Sequence, residues 1–166
     1  MIKKLKKRMI IVAIVIGLCA SIIFYFVFAY RPKDVSNKTP YAPIINTKLV
    51  TIEDAIIIKN STTHYINEYP NELQDFHTIN TSVVDFIKIP KGSVIEFQKA
   101  VKVSHFVSGG KYVYLLGNLL DEKMNYTKPI IYQWGYFKTI CIDDDCNYWE
   151  HRKAPWQEVI DERHYK

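Results

Sequence analysis

From Met9 to Tyr30 the chain runs for 22 residues, MIIVAIVIGLCASIIFYFVFAY, without a single charge. No other feature restricts so severely what the sequence can become. A hydrocarbon core about 30 Å thick needs roughly 20 helical residues to cross it. A single segment in lipid can satisfy its own backbone only as a helix. Tyr25 and Tyr30 lie toward the far end, where aromatic rings favour the interface. Lys3, Lys4, Lys6, Lys7 and Arg8 precede the run, and Arg31 and Lys33 follow it. The excess of basic residues on the N-terminal side predicts a cytoplasmic N-terminus and an exported C-terminal part.

The run is longer than the roughly 7–15 residues of a cleavable signal core, and basic residues follow it at once. Cleavage after Ala29, in Val27-Phe28-Ala29, is the weaker alternative to an uncleaved anchor. Cys19 follows Leu18 in mid-span and reads as a plain thiol, not a lipidated one.

Charge separates along the same line. Of the 22 Lys and Arg residues, seven fall in residues 1–33, which hold none of the 17 Asp and Glu. Residues 34–166 keep 15 basic against 17 acidic side chains, so the formal +5 of the chain describes neither part. The exported part has no basic excess to lay along phosphates, which excludes a nucleic-acid role. About 130 residues also make at most one domain.

The sequence divides into a basic tail (1–8), a signal-anchor helix (9–30), a linker (31–46) and a β-rich extracytoplasmic domain (47–166). The linker rests on Pro32, Pro40 and Pro43 among polar residues, an extended and semi-rigid composition. Beyond it the apolar period is two. Val84–Ile89, Val94–Gln98, Val101–Val107 and Lys111–Leu120 read as strands, with Ser108-Gly109-Gly110 as a hairpin turn. Ile130–Gln133 and Phe137–Ile142 read as two more, divided near Trp134-Gly135. The run Ala55–Lys59 fits helix or strand, Pro70–His77 a turn or two of helix, and Pro155–Ile160 a short helix. The expected fold is mainly β, a small antiparallel barrel or sandwich with short flanking helices.

Cys141 and Cys146 bracket Ile142-Asp143-Asp144-Asp145. In an oxidising compartment so close a pair is expected to form a disulfide. A Cys-x4-Cys pair with His151 lacks the tight knuckles and four ligands of structural zinc. The adjacent aspartates lack the alternating spacing of a calcium loop, so no metal is expected. Asp143, Asp144 and Asp145, with Trp149 close behind, are the candidate contacts to a basic partner surface. Tyr132 and Trp134 are candidates for an exposed aromatic platform, set against the default reading of aromatic residues as core.

No catalytic set coheres. Ser108-Gly109-Gly110-Lys111 matches Ser-x-x-Lys only formally, because it sits in a turn and lacks the companion motifs. His64, His77, His105, His151 and His164 show no zinc-hydrolase spacing. The four Asn-x-Ser/Thr sequons fit the Ile/Lys/Asn/Tyr bias of an AT-rich bacterial genome.

The expectation is therefore a single-pass protein of the bacterial inner (plasma) membrane, its C-terminal domain periplasmic or extracellular. That domain would bind a protein partner without catalysis or cofactor. A narrower form is an immunity-type inhibitor of a toxin acting in the periplasm. The alternatives are an envelope hydrolase, a cell-wall carbohydrate-binding module and a structural subunit of an envelope complex.

Overall fold

The computed structural model describes residues 11–12, 14–22, 24, 32–59, 69–76, 85–104, 109–121, 126–138 and 148–159. Residues 11–12, 14–22 and 24 are helical and exposed, and Ser21 Oγ donates to the Gly17 carbonyl one turn back at 2.9 Å. Among the described residues no helix is long and apolar enough to cross a membrane. The remainder is mainly β.

Among the described residues nine strands form one sheet: β1 (Lys33–Asp34), β2 (Lys48–Val50), β3 (Ala55–Ile58), β4 (Glu72–Asp75), β5 (Phe86–Ile89), β6 (Val94–Ser104), β7 (Lys111–Asp121), β8 (Tyr126–Lys138) and β9 (Tyr148–His151). The backbone of the sheet is the antiparallel meander β6–β7–β8. Its outer edges are each completed by two short strands, β1 and β2 along β6, and β4 and β9 along β8. From β4 the order continues through β3 to β5. The sheet does not close, so the expected barrel is not formed, and one sheet stands where a sandwich would have two. Nor is it wholly antiparallel: β4 runs parallel to β8.

Two bulges explain how the long strands arise from segments that look separate in sequence. Phe97 faces Gly117 but Lys99 faces Leu116, so Gln98 is the extra residue and alternation changes face there. Ile95, Phe97 and Ala100 then share one cluster, while Val101 and Val103 belong to another. On β8, Gly135 faces Val113 and Gln133 faces Tyr114, leaving Trp134 as the extra residue. The expected break near Trp134-Gly135 is therefore a bulge inside one strand of 13 residues. A Cβ on Gly135 would lie 3.3 Å from His151 Nε2, Tyr41 Oη and Val113 Cβ, which accounts for glycine at that point. β6 and β7 pair as an antiparallel hairpin that begins at Ser104 opposite Lys111, with Gly109 at φ 67°. Residues 105–108, which hold the expected end of the strand and Ser108 of the expected turn, lie outside the described residues.

The larger core gathers Ile57 of β3, Leu73 of β4, Ile89 of β5, Phe97 of β6, Leu115 of β7 and Tyr132 of β8. For strands from both halves of the order to meet in one cluster, the sheet must curl around it. The opposite face buries Val101, Val103, Tyr114, Leu116 and Ile131. Each fully buried Leu, Ile or Phe contributes about 1.5–3 kcal/mol.

Three further expectations are corrected. The linker is part of the domain: Lys33 and Asp34 pair with Lys102 and Val101, Val35 and Tyr41 are buried, and Asn46 N donates to the Phe97 carbonyl at 2.7 Å. Its prolines shape a turn-rich segment that packs on the sheet, because Val35 and Tyr41 supply the apolar surface a spacer lacks. Residues 72–75, read as helical, form a strand because Leu73 inserts into the core between β3 and β8. Pro155-Trp156 is a turn, whose Pro155 carbonyl accepts the amides of Ile52 and Glu53 at 2.7 and 3.3 Å.

Candidate functional site

The edge of β8 that faces away from β7 is shared by two short strands that do not meet. β4 takes it only at Ile131 and Tyr132, opposite Glu72 and Leu73, and Asn71 Nδ2 strengthens the join by donating to the Pro129 carbonyl at 2.9 Å. β9 takes the same edge from Gly135 to Lys138. Past Leu73, β4 keeps its pairing with β3 alone, through Gln74 and Asp75. Among the described residues no strand covers β8 at Gln133 and Trp134 on this side. The splayed strands leave a cleft of about 260 Å³, lined by Glu72, Leu73, Gln74, Asp75, Tyr132, Gln133 and Arg152.

The lining is polar and internally braced. The Tyr132 hydroxyl donates to Asp75 Oδ1 at 3.4 Å, and Gln74 Nε2 donates to Glu72 Oε1 at 3.1 Å. Burial pushes Tyr132 ionisation above the usual tyrosine range, and the Asp75 carboxylate adds to this by its charge and its hydrogen bond. Arg152 opposes the shift in part. The phenol thus stays a donor at neutral pH, aimed at a carboxylate. Arg152 is exposed, and its carbonyl accepts the Trp134 indole N–H at 2.9 Å. The cleft presents two carboxylates, two side-chain amides, one hydroxyl and one guanidinium. No group of three metal-ligating side chains occurs among the described residues.

The expected platform is not available to a ligand, because Tyr132 and Trp134 are only 2 % and 4 % exposed. Trp134 instead packs edge-on against Tyr41 and His151, with centroids 5.9 and 5.2 Å away. Tyr132 packs on Trp156 at 5.2 Å. The Tyr41 hydroxyl and His151 Nε2 hydrogen-bond at 3.0 Å within this aromatic cluster, so His151 serves to hold residues 35–46 on the sheet. Trp149 is half-buried against Phe137, centroids 5.2 Å apart, and does not line the cleft. Cys141, Cys146, Asp143, Asp144 and Asp145 lie outside the described residues. No motif announced the cleft: its lining comes from residues 72–75, 132–133 and 152, and only the pairings of β4 and β9 with β8 bring them together.

No family model matches the chain, and no curated protein or solved structure matches it.

Burial of Tyr41 likewise raises its ionisation far above the ordinary value. For a phenol whose folded value is raised, the neutral form favours the fold. That stability is complete below about pH 10 and declines as pH rises above it toward the folded value. In an alkaline titration followed at 295 nm, Tyr41 and Tyr132 should ionise only as the near-ultraviolet dichroism of the fold is lost. Complete phenol titration near pH 10 with the dichroism intact would contradict the burial of both rings.

Proposed function

We propose that the chain is a single-pass envelope membrane protein whose exported β domain binds a protein partner through the cleft between β4 and β9. The observation that carries this reading is the cleft's size and charge together. At about 260 Å³ it is smaller than the roughly 300–1,000 Å³ of sites for free small molecules. One long side chain projecting from a partner fills such a space. Two carboxylates against one guanidinium favour a lysine or arginine of that partner, and the amides of Gln74 and Gln133 supply further hydrogen-bond positions. In this reading Cys141 and Cys146 are joined, and Asp143, Asp144 and Asp145 add acidic contacts to the same kind of basic surface. An immunity-type inhibitor of a basic toxin is the narrower form. Anchoring through residues 9–30 would raise its effective concentration where the toxin must arrive.

The test is co-purification of the full chain from detergent-solubilised membranes, with a C-terminal phosphatase fusion to report topology. An active fusion and a stoichiometric partner are expected, and Asp75→Lys should reduce recovery of that partner by about tenfold or more, the factor for 1.4 kcal/mol. An inactive fusion would refute the exported topology. Recovery of no stoichiometric partner, or equal recovery with Asp75→Lys, would refute binding through the cleft.

A further inference from the structure

A second charged surface, of opposite sign, lies at the end of the sheet where β1, the strand that follows residues 9–30 in sequence, pairs with β6. Lys33 of β1 stands directly opposite Lys102 of β6. Ser104, two residues on and therefore on the same face, stands opposite Lys111 of β7. Lys111 faces Phe137 of β8, which faces Trp149 of β9. Register alone thus places three lysines and two aromatic rings on one face. The side chains bear this out: Lys111 Nζ lies 4.4 Å from the Phe137 ring centre, and Lys102 Nζ lies 5.3 Å from that of Trp149.

Like charges directly opposite each other in an antiparallel pair are destabilising. Lys102 feels that cost: after burial, the charges of Lys111, Lys33 and Lys38 hold its pKa below the usual lysine range. The carboxylates adjacent in sequence do not relieve it. Asp34 and Glu150 fall on the alternate face, where they pair with Lys99 at 3.7 Å and Lys138 at 2.7 Å. A surface that concentrates cations over half-buried rings, at a cost to the fold, is suited to an anionic ligand outside it.

The anchor indicates which ligand. Lys33 is three residues beyond Tyr30, a distance of at most about 11 Å even for extended chain. The Debye length at physiological salt is about 8 Å. Through the β1–β6 pairing, Lys102 is held about 5 Å from Lys33. We propose that Lys33, Lys38, Lys102 and Lys111, with Phe137 and Trp149, seat the domain on anionic phospholipid headgroups of the bilayer that anchors it. The inference rests on the anchoring part of the proposed function, not on the cleft.

The test uses the full chain inserted in nanodiscs of phosphatidylcholine alone or with one-third phosphatidylglycerol. Acylation of individual lysines is followed by mass spectrometry. Each lysine near an anionic surface changes the docked-to-free ratio by about fivefold, the factor corresponding to about 1 kcal/mol. Labelling of Lys102 and Lys111 is therefore expected to slow several-fold in the anionic discs, with Lys59 unchanged. The protection should vanish at high salt, and Lys102→Gln should weaken it at Lys111 about fivefold. Equal rates in both discs would overturn the assignment, and so would uniform slowing that includes Lys59. Slow labelling in both discs would put the occupant within the protein, Asp143–Asp145 being the concentrated charge to hand, and would overturn it too. A chain that fails to enter either disc refutes the anchor. Flotation with phosphatidylglycerol vesicles then decides the patch, since co-flotation with protected Lys102 upholds it and its absence overturns it.

Discussion

Gly117→Ala is expected to destabilise the domain by about 3 kcal/mol or more, at the upper end for an overpacked site. A Cβ on Gly117 would come within 2.2 Å of the Glu96 carbonyl oxygen and 2.6 Å of Phe97 Cα, both backbone atoms that no rotamer change can move. The nearest side-chain atom, Phe97 Cδ1 at 2.8 Å, belongs to a fully buried ring held against Trp156. Relief requires β6 and β7 to separate where the bulge at Gln98 already interrupts their pairing. Chemical denaturation of the purified full chain in detergent measures the effect. Gly92→Asn is the contrasting control for backbone strain without crowding: at φ 91° the substitution strains the chain, but nothing lies within 4 Å of its Cβ, so a smaller loss of about 1 kcal/mol is expected. A loss of less than about 1 kcal/mol with Gly117→Ala would mean that β6 and β7 do not approach as described.

Trp134→Ala should cost about 3–5 kcal/mol, and it separates the two readings of this tryptophan. As a core residue, Trp134 packs against Tyr41, His151 and Trp156 and donates its indole N–H to the Arg152 carbonyl. Its removal opens a cavity, orphans that carbonyl and loosens residues 35–46 from the sheet. The unfolding temperature should fall by roughly 10 °C or more for a domain of this size. Were it a sugar-binding platform, the same substitution would leave stability unchanged and abolish retention on a cell-wall polysaccharide column. Loss of retention at full stability is the result that would reinstate the platform.

The parts of the fold that sequence discloses are those governed by neighbours in the chain. Gly109 marks the passage from β6 to β7 because glycine takes the positive φ that it shows, and Val101 with Val103 marks a strand because side chains alternate. Placement set by distant residues is not disclosed. Tyr41 sits in a proline-bearing stretch that resembles a spacer, yet it is drawn into the core by His151, 110 residues away. The strand β4 has too few apolar residues to show a period, and its assignment depends on a parallel partner almost 60 residues later. Tyr132 and Trp134 look the same in sequence as Tyr136, yet Tyr136 is 38 % exposed while they are core. The cleft inherits all of these difficulties, since each of its walls is built by long-range pairing.

That parallel join also governs the order in which the domain can be completed. Synthesis from the N-terminus releases β3, β4 and β5 well before β8, and the meander strands β6 and β7 come between them. The first ribbon carries Ile56, Ile57 and Leu73, all buried in the finished protein, and the strand they await is the last long one to emerge. Until it arrives, their apolar surface is open to other chains, the condition under which incompletely folded proteins aggregate or are degraded. Residues 126–138 therefore act as the latch of assembly: they unite two ribbons that cannot bury themselves separately. A nonsense mutation anywhere before residue 126 leaves an unfinished ribbon open to aggregation and proteolysis rather than a smaller domain.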